Sequence, residues 1–452
     1  MVWTPAGKLI LNVNVIRVNQ KIAREISGVA LPEKVEFGWE QFVLSVTRTR
    51  GMQAQVEGIS LEKRERLTRY GARIADAIDV YVDETTQEFS FSDGLYMLPD
   101  DERPSLAGNV GAAVADLVME RLGFHWRANA AELKLRAAGD ASPDRKKKKT
   151  PDYVYDPGGR HGFEPGSVVI VEAKGSLSAR EALEGPVNRR ARSAYKEQVA
   201  DFVGTETQGL SVVTGFAIAF GAVPGTQTSR IALASPQTVP VGRQPVSVSA
   251  AAVGGARFLR LAQAQQKQQP GVENVYTQQV HTRQYIPEQQ VRRSGGGGDG
   301  GEGRREGERA QPSGRIAFAN YENVFLLCGA INAAAFLRRI LSGVSEDAVH
   351  KDTLFQDFWV LDSLDPILTG DLREWPYQFG IYEPSAESIL KSAADNRSAP
   401  PRTVELAIAP ITDPSDLPGR EFVMQGDGLA YIHSRPWSAK RRRWDLNRGD
   451  WI

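Results

Sequence analysis

Asp152, Glu172 and Lys174 are the residues whose types and spacing could do chemistry. In a strand, residues two apart point to the same face, so Glu172 and Lys174 project together while Ala173 points away. A carboxylate and an ammonium at the end of the otherwise apolar run SVVIVEA are costly unless something satisfies them. Asp152 opens a second strand-forming stretch, Tyr-Val-Tyr. Pairing the two strands would gather two carboxylates and one lysine around a point. Two carboxylates plus substrate phosphate is a usual way of holding Mg²⁺, which wants hard oxygen ligands and keeps several waters.

Those residues need elements to hold them. Leu106 to Leu122 reads as a helix, with Val110, Val114, Leu117, Val118 and Leu122 on one side and Gly123 as its stop. Ser167 to Ala173 is too continuously β-branched for a half-exposed strand and suits a buried central one. Val187 to Val203 reads as a second helix, begun past Pro186 and stopped by Gly204, and Val212 to Ala222 as another buried strand. The N-terminus alternates Leu9, Leu11, Val13 and Val15 as a strand does, and residues 60 to 82 form a charged helix.

Pro151-Asp152, nineteen intervening residues, then Glu172-Ala173-Lys174 resemble the PD-(D/E)xK signature of the restriction-endonuclease-like nuclease superfamily. The order of elements over roughly 106 to 222 resembles that family's αβββαβ core, a mixed sheet in an α/β fold. Letters alone decide nothing, because the chain holds three Pro-Asp pairs and three (D/E)-x-K triplets. Context separates them: Glu132-Leu133-Lys134 sits in alanine-rich helical texture and Asp144-Arg145-Lys146 in a charged loop. Only the triplet at 172 ends a strand-like run.

The resemblance implies that Asp152 and Glu172 ligate Mg²⁺ (or Mn²⁺), with the Ala173 carbonyl as a further ligand, and that Lys174 orients or deprotonates the attacking water. Many relatives carry a glutamate early in the first helix. In GNVGAAVADLVMERLGF the expected position holds Ala112; Asp116 or Glu120 could substitute, or both could be solvated helix surface. Gln198, on the helix face marked by Ala191, Ala194, Tyr195 and Phe202, stands where relatives place a residue reaching for the site, with Lys196 less well placed. Arg145 to Lys149, and Arg189, Arg190, Arg192 and Lys196, flank these residues and suit contacts to nucleic-acid phosphates.

The chain has 452 residues, 55 Lys+Arg against 55 Asp+Glu, 41% hydrophobic and 24% charged. Zero net charge argues against a protein held to nucleic acid by bulk charge, so any such site must be local. The single Cys328 excludes a disulfide scaffold and suits a reducing compartment. The five histidines lack metal-ligand spacing, and no Walker or nucleophile-elbow motif is present. With no signal peptide and no apolar run long enough to span a bilayer, a soluble cytoplasmic protein is expected. The layout suggests an α+β region over 1–100, the nuclease-like core over 101–265, a Gln-rich and Gly-rich linker over 266–314, and an α+β C-terminal module over 315–452. That module suits recognition, a protein partner or a homodimer contact, and its Lys440 to Arg443 lie between Trp437 and Trp444. The expected activity is Mg²⁺-dependent endonucleolytic cleavage of DNA, with RNA as a further substrate class and a restriction or anti-phage role as the family's common setting. The alternative is a catalytically silent relative that binds nucleic acid or protein.

Overall fold

In the computed structural model the described residues are 9–20, 23, 30–53, 59–83, 85–131, 133, 149–178, 180–226, 228–237, 308–343, 355–361, 366–368, 378–409, 411, 422–432, 439–445 and 448–451. The chain divides into one compact unit formed by 1–245 with 307–452, and a second formed by 246–306. The latter falls outside the described residues, as do the Gly-rich segment and most of the basic loop at 145–149.

The principal sheet is mixed, in the order β2-β1-β8-β7-β5-β4-β3, with the short β6 (Glu206–Thr207) paired to β7. Its strands are β1 (Leu9–Val18), β2 (Lys34–Phe37), β3 (Trp126–Asn129), β4 (Tyr153–Asp156), β5 (Ser167–Ser176), β7 (Leu210–Val223) and β8 (Thr228–Pro236). The apolar run Val168 to Val171 is wholly buried, as a central strand covered on both faces requires. β5 pairs with β7 in parallel, and a parallel pair needs a crossover. Helix α4 (Glu184–Ala194) supplies it, continuing into one π-helical turn at Tyr195–Val199. The expected helix over 187–203 thus begins earlier, at Glu184 with Pro186 inside its first turn, and ends at Val199 after changing pitch. β4 runs antiparallel to β5, with Tyr153 opposite Val171 and Val154 opposite Ile170.

The two faces of the sheet follow from this register. A Cβ on Gly215 would meet Val199 and one on Gly221 would meet Val187, which puts α4 on the face of Ile170, Glu172, Lys174 and Ser176. Helix α3 (Glu102–Arg121) lies on the other face, where a Cβ on Gly111 would come within 2.6 Å of the Lys174 carbonyl and one on Gly175 would run into the Ala107 carbonyl. Two glycines therefore let α3 rest directly on the end of β5. Helices α1 (Trp39–Gln53) and α2 (Leu61–Asp79) complete that layer. The N-terminal strands β1 and β2 belong to the same sheet as β5, so the chain shows no structural division near residue 100.

Beyond residue 307 come β9 (Arg309–Ala310), α5 (Gly314–Leu327), α6 (Ile331–Ser342), β10 (Phe355–Leu361), β11 (Pro366–Leu368), β12 (Gln378–Tyr382), α7 (Glu383–Asp395), β13 (Leu406–Ala407), β14 (Phe422–Met424), β15 (Leu429–Ile432), β16 (Ala439–Asp445) and β17 (Asp450–Trp451). Strands β14-β15-β12-β11-β10-β16-β17 form an antiparallel sheet in that order. Lys440 to Arg443 lie on β16 and Trp444 is buried, while Trp437 is outside the described residues. The apolar residues of α5 join one core with those of α1, α3 and the principal sheet. Segments on both sides of 246–306 therefore share their interior. Among the described residues, no helix is long and apolar enough to cross a membrane.

Candidate functional site

The register that opposes Tyr153 to Val171 brings Asp152 level with Glu172. The Asp152 backbone N–H donates to Glu172 Oε2 at 3.2 Å, and the Ala173 N–H donates to Asp152 Oδ2 at 2.9 Å. Glu172 is fully buried, and its other oxygen, Oε1, accepts from Lys174 Nζ and from Gln198 Nε2, the latter at 2.8 Å. Gln198 lies on the π turn, where the Ala200 N–H reaches back five residues to the Tyr195 carbonyl at 2.8 Å. Asp152, Glu172, Ala173, Lys174 and Gln198 are thus joined by direct hydrogen bonds.

The electrostatics follow from burial. Glu172 is pushed up to about 7 by desolvation and by the neighbouring Asp152, against the opposing pull of Lys174. Asp152 is also raised, by burial first, with the Ala173 N–H and Lys174 acting the other way. Each of the two carboxyl groups accepts a backbone N–H of the other's strand. A pair of acids this close favours sharing a proton, and a divalent cation would relieve the same repulsion. The donor set, two carboxylate groups and strand backbone beside a lysine, has the hard oxygens that Mg²⁺ or Mn²⁺ takes. Among the described residues no group of three or more His, Cys, Asp or Glu side chains is arranged to hold a metal.

Asp116 and Glu120 do not join this cluster. Both are buried on the opposite face of the sheet, where Arg127 of β3 binds the two of them, through Nη1 to Asp116 and through Nη2 to Glu120 Oε2 at 2.9 Å. Tyr155 donates its hydroxyl to Asp116 at 2.9 Å. Glu120 Oε1 also lies 2.9 Å from His125 Nδ1 and accepts the Gly426 N–H at 2.7 Å. Burial alone would raise Glu120, but His125, Arg127 and Arg48 outweigh it and draw the carboxyl down to about 2. Arg48 pairs in turn with Asp427, and Asn320 donates to Asp427 at 2.8 Å. Neither the solvated-surface reading nor the catalytic one describes these acids: they neutralise buried arginines.

Of the basic residues, Lys149, Arg189, Arg192 and Lys196 are exposed. Arg190 is more constrained. It donates to the Gly175 carbonyl at 3.3 Å and pairs with Glu181. Ser176 and Glu181 at the end of β5 were not singled out by sequence reasoning, although Ser176 continues the two-residue row of Glu172 and Lys174.

No family model, curated protein or solved structure matches the chain.

Proposed function

We propose that the chain is a divalent-cation-dependent endonuclease with a restriction-endonuclease-like core. The observation that carries this reading is the convergence of Asp152, Glu172, Lys174 and Gln198 at the end of one buried strand. A structural role explains it poorly, because setting a half-buried acid beside a fully buried one is unfavourable. Asp152 and Glu172, with the Ala173 carbonyl, would hold the cation. When bound, Mg²⁺ supplies a more acidic water and neutralises charge on the scissile phosphate.

The chain's own residues then divide the work. Lys174 stands 36% exposed with its ammonium on Glu172, free on its other side to orient a water or meet a phosphate oxygen. Gln198 fixes the Glu172 carboxylate so that its rotamer is set before substrate arrives. Lys149 and the exposed cations of α4 supply sequence-blind attraction to the flanking phosphates. DNA is the favoured substrate, by the resemblance, with RNA as an arm of the test and the cytoplasm as the expected setting.

A second reading, a catalytically silent protein that binds nucleic acid or another protein, draws on one observation: Ala112 stands where an acid is expected, and Asp116 and Glu120 are committed to Arg127. Purified protein incubated with supercoiled, linear and single-stranded DNA and with RNA, in Mg²⁺ or EDTA, separates the two. Mg²⁺-dependent nicking or cleavage supports the nuclease. Binding without cleavage of any substrate supports the silent protein.

A further inference from the structure

Glu172, Lys174 and Ser176 form one row along β5, because alternate residues share a face. The row does not end at Lys174. Ser176 is almost wholly buried, and its hydroxyl donates to Glu181 Oε2 at 3.2 Å. The same oxygen accepts from Arg190 Nη2. Arg190 comes from α4, and its Nη1 is fixed on the carbonyl of Gly175, the residue directly after Lys174. One anionic oxygen thus sits between a buried hydroxyl and a guanidinium whose orientation is set by the backbone of the site strand.

That oxygen belongs to a side chain poorly suited to keeping it. Glu181 is 59% exposed, and its pairing with Arg190 is of the half-solvated kind that contributes little to stability. The donors are better fixed than the acceptor they hold. Arg190 is 27% exposed, with one nitrogen on backbone, and Ser176 is part of the sheet. A guanidinium N–H together with a hydroxyl is a general way of recognising a phosphate oxygen.

We infer that Ser176 and Arg190 form a phosphate-binding subsite, filled in the free protein by the Glu181 carboxylate, which gives way to a nucleic-acid phosphodiester. The inference rests on the nuclease reading and deepens it. Two residues of strand advance about 6.8 Å, so the group bound at Ser176 is the phosphodiester beside the one presented to Lys174. Glu181 is a competitor: it orders Arg190 before binding and limits affinity by occupying its place.

The test is binding of a fluorescein-labelled 30-mer duplex DNA, followed by anisotropy in EDTA so that cleavage does not intervene. Arg190→Ala is expected to weaken binding about tenfold, the size of a lost charge-assisted hydrogen bond, and to reduce the slope of log K against log salt by about 0.9. Arg190→Lys retains the charge without the fork and should keep the slope while recovering only part of the affinity. Glu181→Gln should do the reverse of Arg190→Ala and tighten binding. With single methylphosphonate linkages walked along one strand, wild type should lose affinity at one linkage where Arg190→Ala is indifferent. If wild type binds and both Arg190→Ala and Glu181→Gln match it, the subsite is wrong, and cleavage in Mg²⁺ then decides the nuclease reading separately. If wild type neither binds nor cleaves any nucleic acid, the nuclease reading fails and the subsite with it.

Discussion

Asp427→Ala should unfold the protein more readily than any loss of apolar contact at the same place. Arg48 and Asp427 are both fully buried, one on α1 and the other in the turn before β15. The guanidinium of Arg48 also meets Gln425 and Asn320, neither of which carries charge. Removing Asp427 leaves that cation without its direct counter-ion, facing Arg127 and offset by the more distant Asp116 and Glu120, and breaking one side of a buried pair costs about 3–5 kcal/mol. At roughly 2.1 cal/mol/K of melting entropy per residue, a compact unit of this size shifts by about 1 °C per kcal/mol, and the melting temperature should fall by about 4–6 °C. Replacing both partners with apolar residues, Arg48→Met with Asp427→Leu, should recover much of the loss, because no uncompensated charge remains. Thermal melts followed by circular dichroism on Asp427→Ala, on Arg48→Met and Asp427→Leu singly, and on the double complete the cycle. A single-variant shift under about 2 °C, or a double variant as unstable as the sum of the singles, would refute the reasoning.

Further outcomes follow from the same geometry. Asp116→Asn should lower the melting temperature, since Arg127 loses a charged partner, while Mg²⁺-dependent cleavage per folded molecule stays near wild type; loss of cleavage in a fully folded variant would return Asp116 to the site. Gly175→Ala should destabilise by roughly 1–3 kcal/mol, because the new methyl meets the Ala107 backbone and α3 must lift from β5, and it should lower cleavage by moving Lys174. Asp156 is buried on β4, its carboxylate accepting the Gly158 and Ser313 N–H groups at 2.7 and 2.8 Å, and burial raises it to about 7. Between its ordinary 3.8 and about 7 the folded state holds a proton that the unfolded state has released, so this residue makes stability fall as pH rises through that window and level off above it. Urea titrations from pH 4 to 8 should show that decline in wild type relative to Asp156→Asn; identical pH profiles would contradict it.

Much of the site was legible because its parts are close in sequence or carried by strong patterns. The β-branched run of β5 and the apolar run of β7 need no distant partner to be recognised, and the alternation within a strand places Glu172 beside Lys174. The fates of Asp116 and Glu120 were not legible. Helical spacing gives their common face but not what covers it, and their partners Arg127, Arg48 and Gly426 are brought in by tertiary packing, the last from 306 residues away. The π turn was hidden for a similar reason, since an inserted residue leaves the apolar pattern of α4 almost unchanged. The shared interior of the segments before 245 and after 307 joins apolar residues far apart in the chain, beside polar pairs such as Ser313 N–H with Asp156, which no local pattern announces. The Gly-rich run between them marks a break in sequence texture, not in the core.

The most direct measurement of the central claim is the single-turnover rate of DNA cleavage in Mg²⁺ for wild type, Glu172→Ala and Lys174→Ala, each checked for an unchanged melting temperature at the working pH. Removal of either group is expected to slow cleavage by about 10²–10⁴-fold, as loss of a positioned acid–base or charge-stabilising group does, with wild type inactive in EDTA. Cleavage that survives EDTA, or that is indifferent to Lys174→Ala in a folded protein, would contradict a metal-dependent nuclease centred on Asp152, Glu172 and Lys174.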